Sequence, residues 1–214
     1  MAPSIPTEYF QRHDESDDPL FYRQPRKVVH IDENAIRLLQ DYYARCLPQD
    51  GVLLDLMTAW RSHLPASVTP QHVTGLGMNE EEMRDNPQLN TFVAHDLNRN
   101  PKLPFPDQKF DAVTCAVSVQ YLTKPVEVFQ EVNRVLKPGG IFIVSFSNRC
   151  FPTKAVAVWL NSTDRQHLDL VERYLHEAGN WHEIDRESKS GAHDPMFIVS
   201  ARRKVVALGT EKNG

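Results

Sequence analysis

The 214-residue chain has no apolar run near the ~20 residues that a bilayer-spanning helix needs, so no membrane partner is expected. Its first stretch, MAPSIPTEYFQRHDESDD, lacks the apolar core of a secretory signal, and its acidic cluster argues against a transit peptide. The three cysteines, Cys46, Cys115 and Cys150, form no Cys-x-x-Cys pair and no even framework, which disfavours structural disulfides and a thiolate zinc site. Nine histidines are scattered without an HxxxH or HxH pair, so no metal is expected. There is no surplus of basic charge: 24 Lys and Arg stand against 28 Asp and Glu, a net charge of −4, and a nucleic-acid partner is not favoured. These absences leave a soluble cytoplasmic protein in a reducing compartment as the expectation.

What is present is ordinary globular composition, 41% hydrophobic and 24% charged, at a length that fits one domain with one sizeable core. Residues 1–30 are polar and punctuated by Pro3, Pro6, Pro19 and Pro25, and read as a mostly irregular arm, either a tail or a lid over a pocket. Ile36, Leu39, Tyr43 and Leu47 recur at helical spacing after Asp32, a plausible N-cap, and Pro48 stops that helix. GVLLDLM reads as a first strand, and Pro65 and Pro70 keep any helix after it short. HVTGLG is a second strand. NEEEMRDNP is a short helix capped by Asn79, with acids in its first turn. TFVAHDLN and FDAVTCAVSVQYL are the third and fourth strands. PVEVFQEVNRVL is an amphipathic helix stopped by Lys137-Pro138-Gly139-Gly140, and IFIVSFS is the fifth strand. A late helix over DRQHLDLVERYLHEAG ends at Gly179, with His167 and His176 expected on its surface. WHEIDRES and MFIVSARRK close the chain as two strands joined by SGAHDP, and residues 205–214 form a tail.

Strands alternate with helices, and segments such as LLDL, AVTCAV and FIVSF are apolar on both faces. That pattern implies an α/β fold with a mostly parallel sheet covered by helices on both sides. Ligands in such sheets bind beyond the carboxyl ends of the strands, where strand order reverses.

The joined pattern of an FDAV strand, a helix ending VLKPGG and an apolar strand, in register with an upstream VLLDL strand and the acid of HDLN, resembles the class I S-adenosylmethionine-dependent methyltransferases with small-molecule substrates. The resemblance covers residues 31–204 and implies a Rossmann-like seven-stranded sheet whose last strand runs antiparallel. It implies S-adenosylmethionine as cofactor and a set of site residues. The family's first strand ends in an acid and a glycine-rich turn. Here Asp55 supplies the acid, but the turn reads Leu56-Met57-Thr58-Ala59-Trp60-Arg61, with no glycine to let the backbone approach the cofactor. The resemblance nonetheless places Met57, Thr58 and Trp60 at the cofactor. The second strand usually ends in an acid for the ribose hydroxyls. Gly77 stands there, followed by Met78 and Asn79, and Asn79 could make one such bond. Asp96 fits the acid for the adenine amino group, with Leu97 as an apolar wall, and Ser118, Val119 and Gln120 would line the methionine end.

Methyl transfer from a sulfonium asks mainly for positioning and exclusion of water, with a base where the acceptor carries a proton. His63 and Tyr121 are the candidate bases. Tyr22 and Arg26 of the arm, and Asn148, Arg149 and Lys154 after the fifth strand, are candidate acceptor-binding residues. Arg149 and Lys154 either hold a carboxylate or phosphate of an acidic acceptor or pair with surface acids. Cys115 and Cys150 read as buried thiols. Two functions stay open: a methyltransferase acting on a small molecule, as monomer or homodimer, and a binding protein that kept the fold and lost the cofactor loop.

Overall fold

In the protein's structure, a computed structural model, residues 5–189 and 193–205 are described. The first four residues of the arm, 190–192 of the SGAHDP connector and 206–214 of the tail lie outside them. Asp32 accepts a hydrogen bond from the Ala35 N–H and caps a helix over Glu33–Cys46. Its apolar stripe, with Leu39 and Tyr43, is fully buried on one face of the sheet. On the other face lie the helices Pro125–Val135 and Asp164–Ala178, with Phe129, Val132 and Tyr174 in the larger core cluster. Thr163 and Gln166 close a capping box at the start of the latter helix, and Gly179 ends it at φ 73°.

In chain order the helices are α1 Asp18–Tyr22, α2 Glu33–Cys46, α3 Glu80–Arg84, α4 Pro125–Val135, α5 Ala157–Leu160 and α6 Asp164–Ala178. The strands are β1 Val52–Leu56, β2 His72–Gly77, β3 Thr91–Ala94, β4 Phe110–Ala116, β5 Leu136–Phe146, β6 Trp181–Lys189 and β7 Met196–Arg203. They form one seven-stranded sheet in the order β3-β2-β1-β4-β5-β7-β6. The first five pair parallel and β7 runs antiparallel to both its neighbours, as the resemblance implied. Among the described residues no helix is long and apolar enough to cross a membrane.

The departures from the sequence reading have local causes. No helix forms between β1 and β2, and residues 57–71 cross over as an irregular loop. β3 ends at Ala94 because Asp96 starts a turn, its Oδ1 accepting the N–H of Asn98 and Arg99. β5 starts at Leu136, directly at the end of α4, so Lys137-Pro138-Gly139-Gly140 belongs to the strand's irregular entry, with Gly139 at φ 78°. His167 is buried rather than exposed. Its ring lies 3.9 Å from and parallel to that of Trp159, and its Nε2 bonds the Trp159 carbonyl.

The N-terminal segment is more ordered than its composition suggests. It carries a 3-10 turn at Thr7–Phe10 and helix α1, and it lies along the segment after β5 through Asp14 N–H to Thr153 O and Ala157 N–H to Gln11 O. Lys154 is fully buried and pairs with Asp14 and Asp18, and its Nζ donates to the Ser16 carbonyl at 2.6 Å. Asp18 also receives Arg12 Nη1 at 2.7 Å and Asn98 Nδ2 at 2.8 Å. A buried charge is tolerated when it is paired and fully hydrogen-bonded, as here.

Candidate functional site

Sheet order reverses between β1 and β4, and a cavity opens there, beyond the carboxyl ends of β1 to β4. A cavity of about 200 Å³, open to solvent, lies between these strand ends, residues 22–30 of the N-terminal segment and residues 149–151 after β5.

The β1 end is built around a buried carboxylate. Asp55 accepts hydrogen bonds from the hydroxyls of Thr58 and Thr114, and burial pushes its pKa up to about 6 against those bonds. Met57 takes the left-handed conformation at φ 58°, the role a glycine would ordinarily fill. This turns the chain onto β2, where the Thr58 N–H donates to the Leu76 carbonyl. The Thr58 carbonyl then lies 2.2 Å from where a Cβ on Gly77 would stand. A loop with side chains sits close over β2, and only glycine fits beneath it.

Beside Gly77, Asn79 borders the cavity, but its side-chain groups are already bonded and not free for a ligand. Its Oδ1 caps α3 through the Glu82 N–H, and its Nδ2 donates to the carbonyls of Tyr22 and Arg23. Glu82, buried and bordering the cavity, accepts the Arg26 N–H. The Trp60 indole donates to the Val28 carbonyl at 2.9 Å. Residues 22–28 are thus tied across the mouth by main-chain bonds to α3 and to the β1 loop.

On the opposite wall, Asp96 Oδ1 carries the turn bonds, and Oδ2 accepts none among the described residues. Leu97 is buried beside it. After β4, Val117 is held at φ 52°, a strained state for a β-branched residue, and it borders the cavity with Ser118. Tyr121 accepts the Phe151 N–H on its hydroxyl, and burial pushes its pKa up to about 12. His63, at φ 57°, is pushed down to about 4 by burial, by His30 and by the Arg61 guanidinium.

Of the residues singled out in the sequence, Asp55, Met57, Thr58, Trp60, Gly77, Met78, Asn79, Asp96, Leu97, Ser118, His63, Tyr121, Tyr22, Arg26 and Arg149 come together around this cavity. Four do not. Val119 and Gln120 are buried in a 3-10 turn, where Gln120 Nε2 braces the Val117 carbonyl. Asn148 is exposed outside the lining. Lys154 is not an acceptor-binding cation but the buried partner of Asp14 and Asp18. Arg61, Glu82, Asn98 and Phe151 border the cavity without having been singled out. Asn98 stands in the HDLN segment and Arg61 in the glycine-less turn, so position alone could have flagged both.

Residues 59–144 match the model of a methyltransferase domain family. Over 80 residues the chain is 36% identical to a sterol 24-C-methyltransferase of Gibberella zeae, covering 35% of this chain and 21% of that one. Over 90 residues it is 36% identical to a ubiquinone/menaquinone biosynthesis C-methyltransferase of Burkholderia mallei, covering 38% and 37%. The chain therefore spans only a minor part of these curated relatives. A phosphoethanolamine N-methyltransferase of Haemonchus contortus, solved in complex with S-adenosyl-L-methionine, shares the fold at a TM-score of 0.58 and 13% identity, covering 81% of this chain and 53% of that one. The sequence match over residues 59–144 and the shared fold point the same way: this stretch of the chain is similar to methyltransferase domains, and the fold is that of S-adenosylmethionine-binding methyltransferase neighbours.

The residues present fit that cofactor at both ends of the cleft. Asp96 Oδ2 can accept from an amino group beside the apolar Leu97, and Ser118 and Tyr121 border the far end. Between these ends Gly77 has no side chain to offer, and Asn79 is spent on α3 and the N-terminal segment.

Proposed function

We propose that the protein transfers a methyl group from S-adenosylmethionine to a small, acidic acceptor by in-line displacement, with residues 31–204 as the catalytic domain and residues 1–30 as a lid. When bound, the cofactor supplies an electrophilic methyl on a sulfonium. Asp96 and Leu97 hold the adenine. Met57, Thr58 and Trp60 form the loop over the middle of the cleft, with Asp55 fixing Thr58 from below. Tyr22, Arg26 and Arg149 face the acceptor, and the 22–28 crossing excludes water from the mouth. Tyr121 stays protonated at neutral pH and orients by donating its O–H. His63, neutral above about pH 4, is the group that can take a proton from the acceptor.

The observation that carries this reading is a cleft at the sheet's switch point, bordered by an acid with an uncommitted oxygen, in a chain that matches methyltransferases over 59–144. One observation favours a second reading, a binding protein without the cofactor: the Thr58 carbonyl over Gly77 and the engagement of Asn79 by the N-terminal segment. Calorimetry with S-adenosylmethionine and S-adenosylhomocysteine separates the two. Methyl transfer requires binding in about the micromolar range, weakened about tenfold or more in Asp96→Ala by loss of a charge-assisted bond. No binding up to millimolar concentration by folded protein would leave the second reading.

A further inference from the structure

The mouth of the cavity carries an unusual set of cationic side chains. Arg26 stacks its guanidinium 4.3 Å from the ring centroid of Phe21, and Arg61 stacks 3.7 Å from that of Trp60. Arg26 Nη2 donates to the Phe21 carbonyl and Arg61 Nη1 to the Trp60 carbonyl. Neither guanidinium makes an ion pair among the described residues. Between them stand His30, packed edge-on against Phe151 at 5.2 Å, and His63. The four side chains come from two segments, the N-terminal one and the β1–β2 loop, tied together by the Trp60–Val28 bond.

None of the acids bordering the same cavity pairs with Arg26 or Arg61 among the described residues. Asp18 is held by Arg12 and Lys154, Asp55 by Thr58 and Thr114, and Asp96 bonds the main chain of Asn98 and Arg99. Glu82, the acid closest in character to a partner for Arg26, accepts that residue's main-chain N–H. Arg149, also at the mouth, is already paired with Asp194 at 2.8 Å. A guanidinium laid on an aromatic ring keeps its N–H edge available, and two such edges flanking two imidazoles are the recognition chemistry of an anionic oxygen group.

We propose that Arg26, His30, Arg61 and His63 form a binding site for a carboxylate or phosphate group of a ligand of this cavity. The proposal deepens the reading above by giving the anionic group its place, and it adds His30 and Arg61, to which no role had been given. Each imidazole is held neutral by desolvation and by its cationic neighbour: Arg26 for His30, and His30 and Arg61 for His63. An anion among them reverses that sign. It draws protons onto the imidazoles, so its affinity rises on acidification. Bound, it also makes His63 more basic, which suits a proton acceptor that works only when the ligand is in place.

The test is a histidine-resolved NMR titration of the full chain with and without inorganic phosphate. Phosphate should raise the apparent pKa of His63 by about one unit or more, equivalent to about tenfold tighter binding per pH unit while that group titrates. Arg26→Gln and Arg61→Gln should each weaken phosphate binding about tenfold, with an unchanged circular dichroism spectrum. Arg84→Gln, in an exposed arginine of α3 outside the cavity, should leave it intact. Two further arms identify the source of the anion. If S-adenosylhomocysteine shifts His63 and 5′-methylthioadenosine, which lacks the carboxylate, does not, the site takes the cofactor's amino-acid carboxylate. If phosphate still binds to protein saturated with S-adenosylhomocysteine, the site takes an acidic group of the acceptor. Histidine signals unmoved by every anion, or moved equally in the two arginine variants, overturn the proposal. Phosphate binding without S-adenosylhomocysteine binding overturns methyl transfer and leaves the anion site standing.

Discussion

The two halves of the cleft solve the same problem in different ways. From β4 to β5 the chain follows its sequence pattern closely: a buried strand, a helix whose stripe of Val128, Phe129 and Val132 is fully covered, and a strand running back beside the first. From β1 to β2 the crossover has no helix, Met57 stands at φ 58° where glycine is usual, and glycine appears instead at the end of β2. The glycine at the end of β2 answers a contact of its own, the Thr58 carbonyl lying over β2, and not the approach of the loop to a ligand.

The largest test of that comparison is Gly77→Asp, which would restore the acid that the family carries there. Its Cβ would meet the Thr58 carbonyl at 2.2 Å, a backbone atom that no rotamer change can move aside. We expect a loss of about 4 kcal/mol in urea unfolding, at the upper end of single substitutions, and no gain in cofactor affinity. A stable variant would mean that the β1 loop is free to lift off β2. A comparable loss, about 3–5 kcal/mol, is expected for Phe129→Ala in the regular half, where a cavity is opened among Phe142 and Tyr174. That variant should leave the cleft's ligand binding unchanged.

The next effect is electrostatic. Burial raises the Asp55 pKa from 3.8 to about 6, so the folded protein holds this proton more tightly than the unfolded chain. Its contribution to stability is fully present below about pH 4 and is lost as pH rises through about 6. Asp55→Asn should remove that slope and come out roughly 2 kcal/mol more stable than the parent at pH 8 relative to their difference at pH 4. Parallel slopes in the two proteins would show that the Thr58 and Thr114 bonds hold the carboxylate charged at low cost. The smallest effect is expected for Asn79→Ala, about 1–2 kcal/mol from the lost cap of α3. Because Nδ2 also holds Tyr22 and Arg23, limited proteolysis should cut within residues 22–30 sooner than in the parent. An unchanged cutting rate would show that Trp60 and Glu82 suffice to hold the crossing.

The legible parts of the sequence were those in which a local period reports burial. The α2 stripe, α4, α6 and the Asn79 cap lie at nearly their expected bounds, because each is set by neighbours within a few residues, whereas β4 ends earlier and β5 begins five residues sooner than its expected apolar run. The cleft's position followed from strand alternation, and most residues expected at strand ends do border it. What could not be read depends on partners far along the chain. Lys154 looked like a free cation because Asp14 and Asp18 lie in a segment that reads as irregular. Asn79 looked available because nothing local says that the Tyr22 carbonyl will reach it. His167 looked exposed because its cover, Trp159, precedes the helix.

The buried Lys154 latch also sets an order of assembly. Its Nζ finds the Ser16 carbonyl 138 residues earlier in the chain. Loops that long close late, after local helices and neighbouring strands have formed. The N-terminal segment lacks the buried Lys154 that pairs with Asp14 and Asp18 until the stretch after β5 is made. The N-terminal wall of the cleft is therefore latched only once the stretch after β5 is in place beside it.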